Sequence, residues 1–323
     1  MRATSQPIPA RLHLDGGRIV ADWVDIADTD ATLPFLADRV AEARGLRRAP
    51  LPDSVGPVEP AAIILHAGRC GSTLVSRALS RLTRCHVVSE PQALNDVLSV
   101  EGAWPFLPPQ EKLDALRRVI GALADAARPD QDKVILKLSS WNALHLPLLE
   151  QALPSVPKLF VYREPEEILV SLRDEPANWM RRAGHRVHAG LFLGVPPPQA
   201  MDTPLAFAAQ VLGRVLAAVA DSVQRPGRAA NWLLVPYATL PGALTARILP
   251  WLGLDPTGME SEILNLGLAS HAKDRDGTRL FLSDRARKRA AMTGELEELV
   301  SKLVRDAYER LDNMRRHKHG GAA

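Results

Sequence analysis

The sequence predicts an α/β protein built on one parallel, doubly wound sheet with helices on both faces, a three-layer architecture. Two observations carry this. Short apolar strand patterns alternate with helical ones from residue 61 to about residue 172, and strand–helix alternation implies right-handed crossovers between parallel strands. In addition, charged residues recur at or just after the predicted strand ends, at Arg69, Glu90, Lys137 and Arg163. The carboxyl ends of parallel strands are where such sheets bind ligands, so these four residues are expected to converge on one crevice.

In chain order, residues 1–60 read as an amino-terminal extension. It holds short strands around Arg11–Leu14 and Ile19–Asp25, a helix near Thr32–Arg44 and a Pro-rich linker over Ala49–Pro60. The main domain is expected over 61–315. It opens with AAIILHAGRCGSTLVSRALSRL, in which a branched apolar run meets a loop with Gly68 and Gly71 and passes through Ser72 and Thr73 into an amphipathic helix. Strand Cys85–Ser89, helix Glu111–Ala127 and strand Lys133–Leu138 follow, then helix Asn142–Ala152 and strand Lys158–Tyr162. The next helix has Pro165 at its first position and Glu166 and Glu167 at its positive end. Residues 175–204 break the pattern and are expected to form a lid or an acceptor-binding loop. Helices are expected at Pro204–Val223 and Ser283–Met314, the second broken near Thr293, with a mobile tail over 316–323.

Strand, glycine loop and helix N-terminus together cradle a phosphate-like anion, because first-turn amides and the helix dipole face the ligand. Gly68, Arg69, Cys70, Gly71, Ser72 and Thr73 form that loop. The nucleotide-triphosphatase pattern G-x-x-x-x-G-K-[ST] fails here, since His66 stands at its first glycine and Ser72 at its lysine. Instead GRCGST resembles the 5′-phosphosulfate loop of the sulfotransferase family, enzymes that use 3′-phosphoadenosine 5′-phosphosulfate (PAPS). KLFVYREPEEILVSL resembles that family's second signature, an Arg at a strand end followed eight residues later by a Ser. Arg163 and Ser171 have that spacing.

The resemblance implies a P-loop-like sulfotransferase fold and PAPS as co-substrate with no metal required. It further implies direct transfer to an acceptor hydroxyl or amine, with Arg163 and Ser171 on the 3′-phosphate. Similarity to the tyrosylprotein and bacterial branches would make Glu90 the general base and Lys137 a cation beside the sulfuryl group, with Arg69 neutralising the bridging oxygen. The small-molecule branch uses a downstream histidine, and this chain has Pro129 at that spacing. NWLLVPYATL resembles the family's late strand, which would bring Tyr237 to the adenine. The SHAKD segment would bring Ser270 and Lys273 over the nucleotide. Two other readings stay open, an ATP-dependent phosphotransferase and a nucleotide-binding protein without turnover.

A net charge of +3 suits a polyanionic small ligand but, without a basic stripe interleaved with aromatics, gives no reason to expect nucleic acid. Two cysteines argue against a disulfide framework and for a reducing, cytoplasmic setting. No secretory signal or membrane-spanning run is apparent in the sequence. Acceptor identity and oligomeric state are not readable from it.

Overall fold

The computed structural model describes residues 7–53, 59–194, 203–262, 264 and 284–320, with the side chains of 318–320 excepted. Five parallel strands make the central sheet: β4 Ala62–His66, β5 Cys85–Ser89, β6 Lys133–Lys137, β7 Lys158–Tyr162 and β8 Trp232–Pro236, in the order β5-β6-β4-β7-β8. Their near-continuous apolar sequences follow from burial on both faces. Period-two alternation divides each strand between two cores. Ile63 and Leu65 face one core with Leu136, Phe160 and Tyr162; Ala62 and Ile64 face the other with Ile135, Leu159 and Val161.

The second core is closed by helix α2 (Ser72–Leu79) and residues 244–254. The first is closed by α3 Gln92–Val97, α4 Pro109–Ala124, α5 Leu146–Ala152, α6 Pro165–Asp174 and α8 Pro204–Gln224. Short helix α7, Arg186–Leu193, and the carboxyl-terminal helices α10 Gly294–Leu303 and α11 Arg305–Gly320 complete that layer, and α9, Arg285–Ala290, lies against α6. Helix α8 is long and apolar enough to cross a bilayer, but two thirds of its apolar window is buried inside the protein. Packing in a core accounts for its hydropathy.

Several sequence expectations are corrected. The amino-terminal extension is a second sheet, β1 Ile8–Asp15, β2 Arg18–Asp25 and β3 Arg44–Pro50, antiparallel in the order β1-β2-β3. Gly16 and Gly17, both at positive φ, make the two-residue turn between the first pair. The expected helix shrinks to α1, Leu36–Glu42, and the start of the expected linker is strand β3. This exposed, charged edge strand lacks the alternation that would reveal it. A bulge between Pro9 and Arg11 lets the Leu12 amide and the Arg11 guanidinium both donate to Asp96 on α3, docking the extension onto the main domain.

Elsewhere, the first turns of the expected helix Asn142–Ala152 are 3-10 helix over Ser140–His145, with Pro147 in the first turn of α5. The expected irregular stretch after α6 is largely helical, a 3-10 segment Asn178–Gly184 followed by α7; residues 195–202 fall outside those described. At Thr293, where the break was expected, the hydroxyl caps α10 by accepting from Leu296 N–H. The expected mobile tail is helical through residue 320. Arg315 anchors it by donating to Asp312 and to the Tyr162 hydroxyl.

Candidate active site

All five strands of the central sheet end at one side, and one cavity of about 1030 Å³ opens there. Gly68, Arg69, Cys70, Gly71, Ser72, Thr73, Glu90, Arg163, Ser171 and Tyr237 all line it. Lys137 lies behind its wall, fully buried and ion-paired with Glu90. Ser270 and Lys273 lie outside the described residues.

The glycine loop owes its shape to three left-handed residues, Gly68 (φ 78), Arg69 (φ 50) and Gly71 (φ 84). Gly71 is the N-cap of α2, and no side chain caps the helix. That leaves first-turn amides facing a site that favours an anion. The hydroxyls of Ser72 and Thr73 make no hydrogen bond among the described residues. A Cβ on Gly71 would sit 2.9 Å from the Tyr237 ring and 3.1 Å from Leu240 Cδ1, so only glycine lets these side chains close over the loop. Cys70 contributes only its backbone. Its buried thiol donates to the Val161 carbonyl at 3.1 Å, and burial pushes its pKa up to about 11. A thiol so protonated is a poor nucleophile.

Arg69 and Glu90 are the two non-glycine residues at positive φ among those described. Such backbone costs about 1–3 kcal/mol and clusters at functional sites. The Arg69 guanidinium turns away from the loop centre, donating to the Glu175 carboxylate at 2.8 Å and its carbonyl at 2.6 Å. Glu90 follows β5 directly, and its amide bonds to the Lys137 carbonyl at 2.6 Å. Adjacent strand ends therefore bring together Glu90, Lys137 and His66, whose Nε2 lies 3.6 Å from the carboxylate. His66 Nδ1 accepts the Gly68 amide at 3.1 Å, which assigns the ring proton to Nε2 on the Glu90 side. Burial, then the Lys137 charge, lowers the His66 pKa and keeps the ring neutral. Burial opposes ionisation of Glu90, but the Lys137 charge, with the His66 ring nearby, outweighs it and holds the carboxyl well below its ordinary range.

At the far end, Arg163 closes β7 and is almost wholly buried. It donates to Glu167 at 2.5 Å and to Asp284 at 2.6 Å, and its guanidinium stacks 4.0 Å from the Tyr237 ring centre. Ser171 stands on the same helix face as Glu167, donating to its carbonyl at 2.8 Å. Asp284 also accepts from Lys288 Nζ at 2.7 Å. Burial alone would raise the Asp284 pKa; bonds from Lys288 and Arg163 lower it, so the group is a carboxylate at neutral pH. Here an internal carboxylate takes the two-cation position that a phosphate's oxygens would suit. Sequence reasoning gave Asp284 and Lys288 no role, and read His66 only at the missing loop glycine and Glu167 only as a helix-end charge or a surface partner of Arg163. Only Glu167 carried a local signal, four residues beyond Arg163 on a predicted helix.

No family model matches the chain, and no curated protein matches it. Among solved structures it is similar to the sulfotransferase domain of the Synechococcus PCC 7002 olefin synthase. That similarity has a TM-score of 0.50 at 17% identity, covering 83% of this chain and 98% of that one. Sulfotransferase STF9 from Mycobacterium avium gives 0.46 at 14% identity over 76% of each chain. Mouse sulfotransferase SULT7A1, solved with adenosine 3′,5′-bisphosphate (PAP), gives 0.42 at 13% over 97% and 99%. The fold is that of a sulfotransferase, an assignment that rests on the first of these together with the topology above. At such identities the likeness is one of fold.

Proposed function

We propose that this chain is a sulfotransferase that moves a sulfuryl group from PAPS to an acceptor hydroxyl or amine by in-line transfer. One observation carries the reading. The glycine loop and the Arg163–Ser171 pair open into a single cavity that also holds the Glu90 carboxylate, paired with Lys137. When bound, PAPS supplies the sulfuryl group and its phosphate leaving group.

The first-turn amides of α2, with the Ser72 and Thr73 hydroxyls, hold the 5′-phosphosulfate. Arg163 offers its guanidinium fork to the 3′-phosphate in exchange for Asp284, and Ser171 adds a hydroxyl. Tyr237 borders the adenine. Lys137 neutralises charge that builds on the sulfuryl oxygens, and Arg69, once released from Glu175, does the same at the bridging oxygen. As Lys137 turns from Glu90 toward that charge, Glu90 loses the cation that suppresses its basicity. It then takes the acceptor's proton. His66 keeps the carboxylate oriented. No covalent enzyme intermediate is needed, so positioning and charge stabilisation carry the rate.

Calorimetry tests the donor without knowledge of the acceptor. PAP is expected to bind at least about tenfold more tightly than AMP, a margin of ~1.4 kcal/mol for the 3′-phosphate contacts. ATP, which lacks that phosphate, is expected to rank with AMP or below it. Equal affinities for PAP and AMP would remove the 3′-phosphate assignment, and tight Mg²⁺-dependent ATP binding with turnover would replace the reading by phosphoryl transfer.

A further inference from the structure

The cavity is larger than its glycine-loop and Arg163 ends, and the remaining walls have a chemistry of their own. Phe35, from the amino-terminal extension, covers Lys137 with the ammonium 5.3 Å from the ring centre. Trp141 and Trp179 line the same space and are stiffened from behind by Phe192, at ring-centre distances of 5.1 and 6.0 Å. Flat, rigid apolar walls of this kind suit a ring.

The same cavity is also lined by charged side chains, of which Asp96, Asp174 and Glu175 are already paired with Arg11, Arg173 and Arg69. Arg182 pairs with Glu101 at 2.9 Å, which spends its charge. Neighbouring Arg181 also lines the cavity and has no carboxylate partner among the described residues. His185 accepts the His188 amide at Nδ1, 3.3 Å, which leaves Nε2–H as a donor. The exposed Arg181 guanidinium and the His185 ring N–H, on the lining of one cavity, suit a ligand that brings acceptor oxygens and negative charge.

We propose that the acceptor is an anionic hydroxyl compound with a flat ring. The ring lies against Phe35, Trp141 and Trp179, the hydroxyl reaches Glu90, and a carboxylate or similar acid group reaches Arg181. This deepens the sulfotransferase reading and rests on it for the role of Glu90. Arg181 is a specificity-determining residue that takes no part in transfer.

The test uses the full chain and three phenols of similar size, 4-hydroxyphenylacetate, 4-ethylphenol and tyramine. Each is titrated by tryptophan fluorescence with and without saturating PAP, against wild type, Arg181→Gln and Arg181→Lys. The expected order is anion first, neutral second and cation last, with the anion favoured over the neutral phenol about five- to tenfold. Arg181→Gln is expected to abolish that preference and Arg181→Lys to keep part of it, with PAP affinity unchanged in both. Equal binding of the three phenols, a preference that survives Arg181→Gln, or no binding of any of them would overturn the proposal. Failure of PAP to bind would instead strike the donor reading, and the titrations without PAP would still decide the acceptor class.

Discussion

Asp284→Asn probes the donor end of the cavity most sharply, because the structure fixes the sign of its effect. Asp284 accepts charge-assisted bonds from Arg163 at 2.6 Å and from Lys288 at 2.7 Å. On the proposed reading a 3′-phosphate reaching Arg163 competes with this carboxylate, so binding forfeits the Arg163–Asp284 bond and disturbs the one from Lys288. Bonds to charged groups contribute about 1.5–3 kcal/mol each. The side chain is 29% exposed, and water replaces part of the loss. A net penalty of about 1–2 kcal/mol remains, equivalent to roughly five- to thirtyfold in affinity. Asparagine preserves the shape and removes the charge. Calorimetry on Asp284→Asn should therefore show PAP binding five- to thirtyfold tighter than in wild type, with AMP unchanged. Because Lys288 and Arg163 hold the Asp284 pKa low, the gain should be constant between about pH 6 and 8. Weaker PAP binding in the variant would mean that Asp284 positions Arg163 for its ligand instead of competing with it. Equal gains for PAP and AMP would mean that the 3′-phosphate lies elsewhere.

Glu90→Gln removes the proposed proton acceptor but not the proposed donor site, so turnover should fall by ~10²–10⁴ with PAP affinity nearly intact; activity equal to wild type would take Glu90 out of the mechanism. The same variant has a signature in stability. The folded-state pKa of Glu90 is depressed, so its stabilisation is present above the unfolded value of about 4.3 and lost as pH falls below it. Acid unfolding should accordingly be shallower in Glu90→Gln. Gly71→Ala combines φ 84 with a Cβ 2.9 Å from Tyr237. It should cost about 1–3 kcal/mol of stability and weaken PAP more than tenfold; wild-type affinity would show that the loop tolerates a displaced Tyr237.

The parts of this fold legible in the sequence were those whose signals are local. A branched apolar run stopping at glycines and entering a helix announces β4, its loop and α2 within about twenty residues. Arg69, Glu90, Lys137 and Arg163 were readable as strand-end charges because a parallel sheet aligns its carboxyl ends. What was missed depends on contacts distant in the chain. Asp284 meets Arg163 across 121 residues, and no pattern in RARKRA marks the aspartate before it as a clamp. Phe35 and Arg11 reach the cavity from an extension whose docking depends on a bulge and one buried aspartate on α3. His66 was weighed only as a missing loop glycine. Its role appears once neighbouring strands bring Glu90 to 3.6 Å. The helices in 178–193 were hidden by arginines and histidines that face the cavity.

The central claim is that one doubly anionic adenosine ligand spans both ends of the cavity. Affinities of PAP, AMP and adenosine 3′-phosphate for Thr73→Val and Arg163→Lys test it directly, lysine being chosen so that buried Glu167 keeps a cation beside it. Thr73→Val should weaken PAP and AMP and spare adenosine 3′-phosphate, whereas Arg163→Lys should weaken PAP and adenosine 3′-phosphate about tenfold and spare AMP. If both substitutions affect the three ligands alike, or neither affects PAP, the two ends do not share one ligand and the account fails.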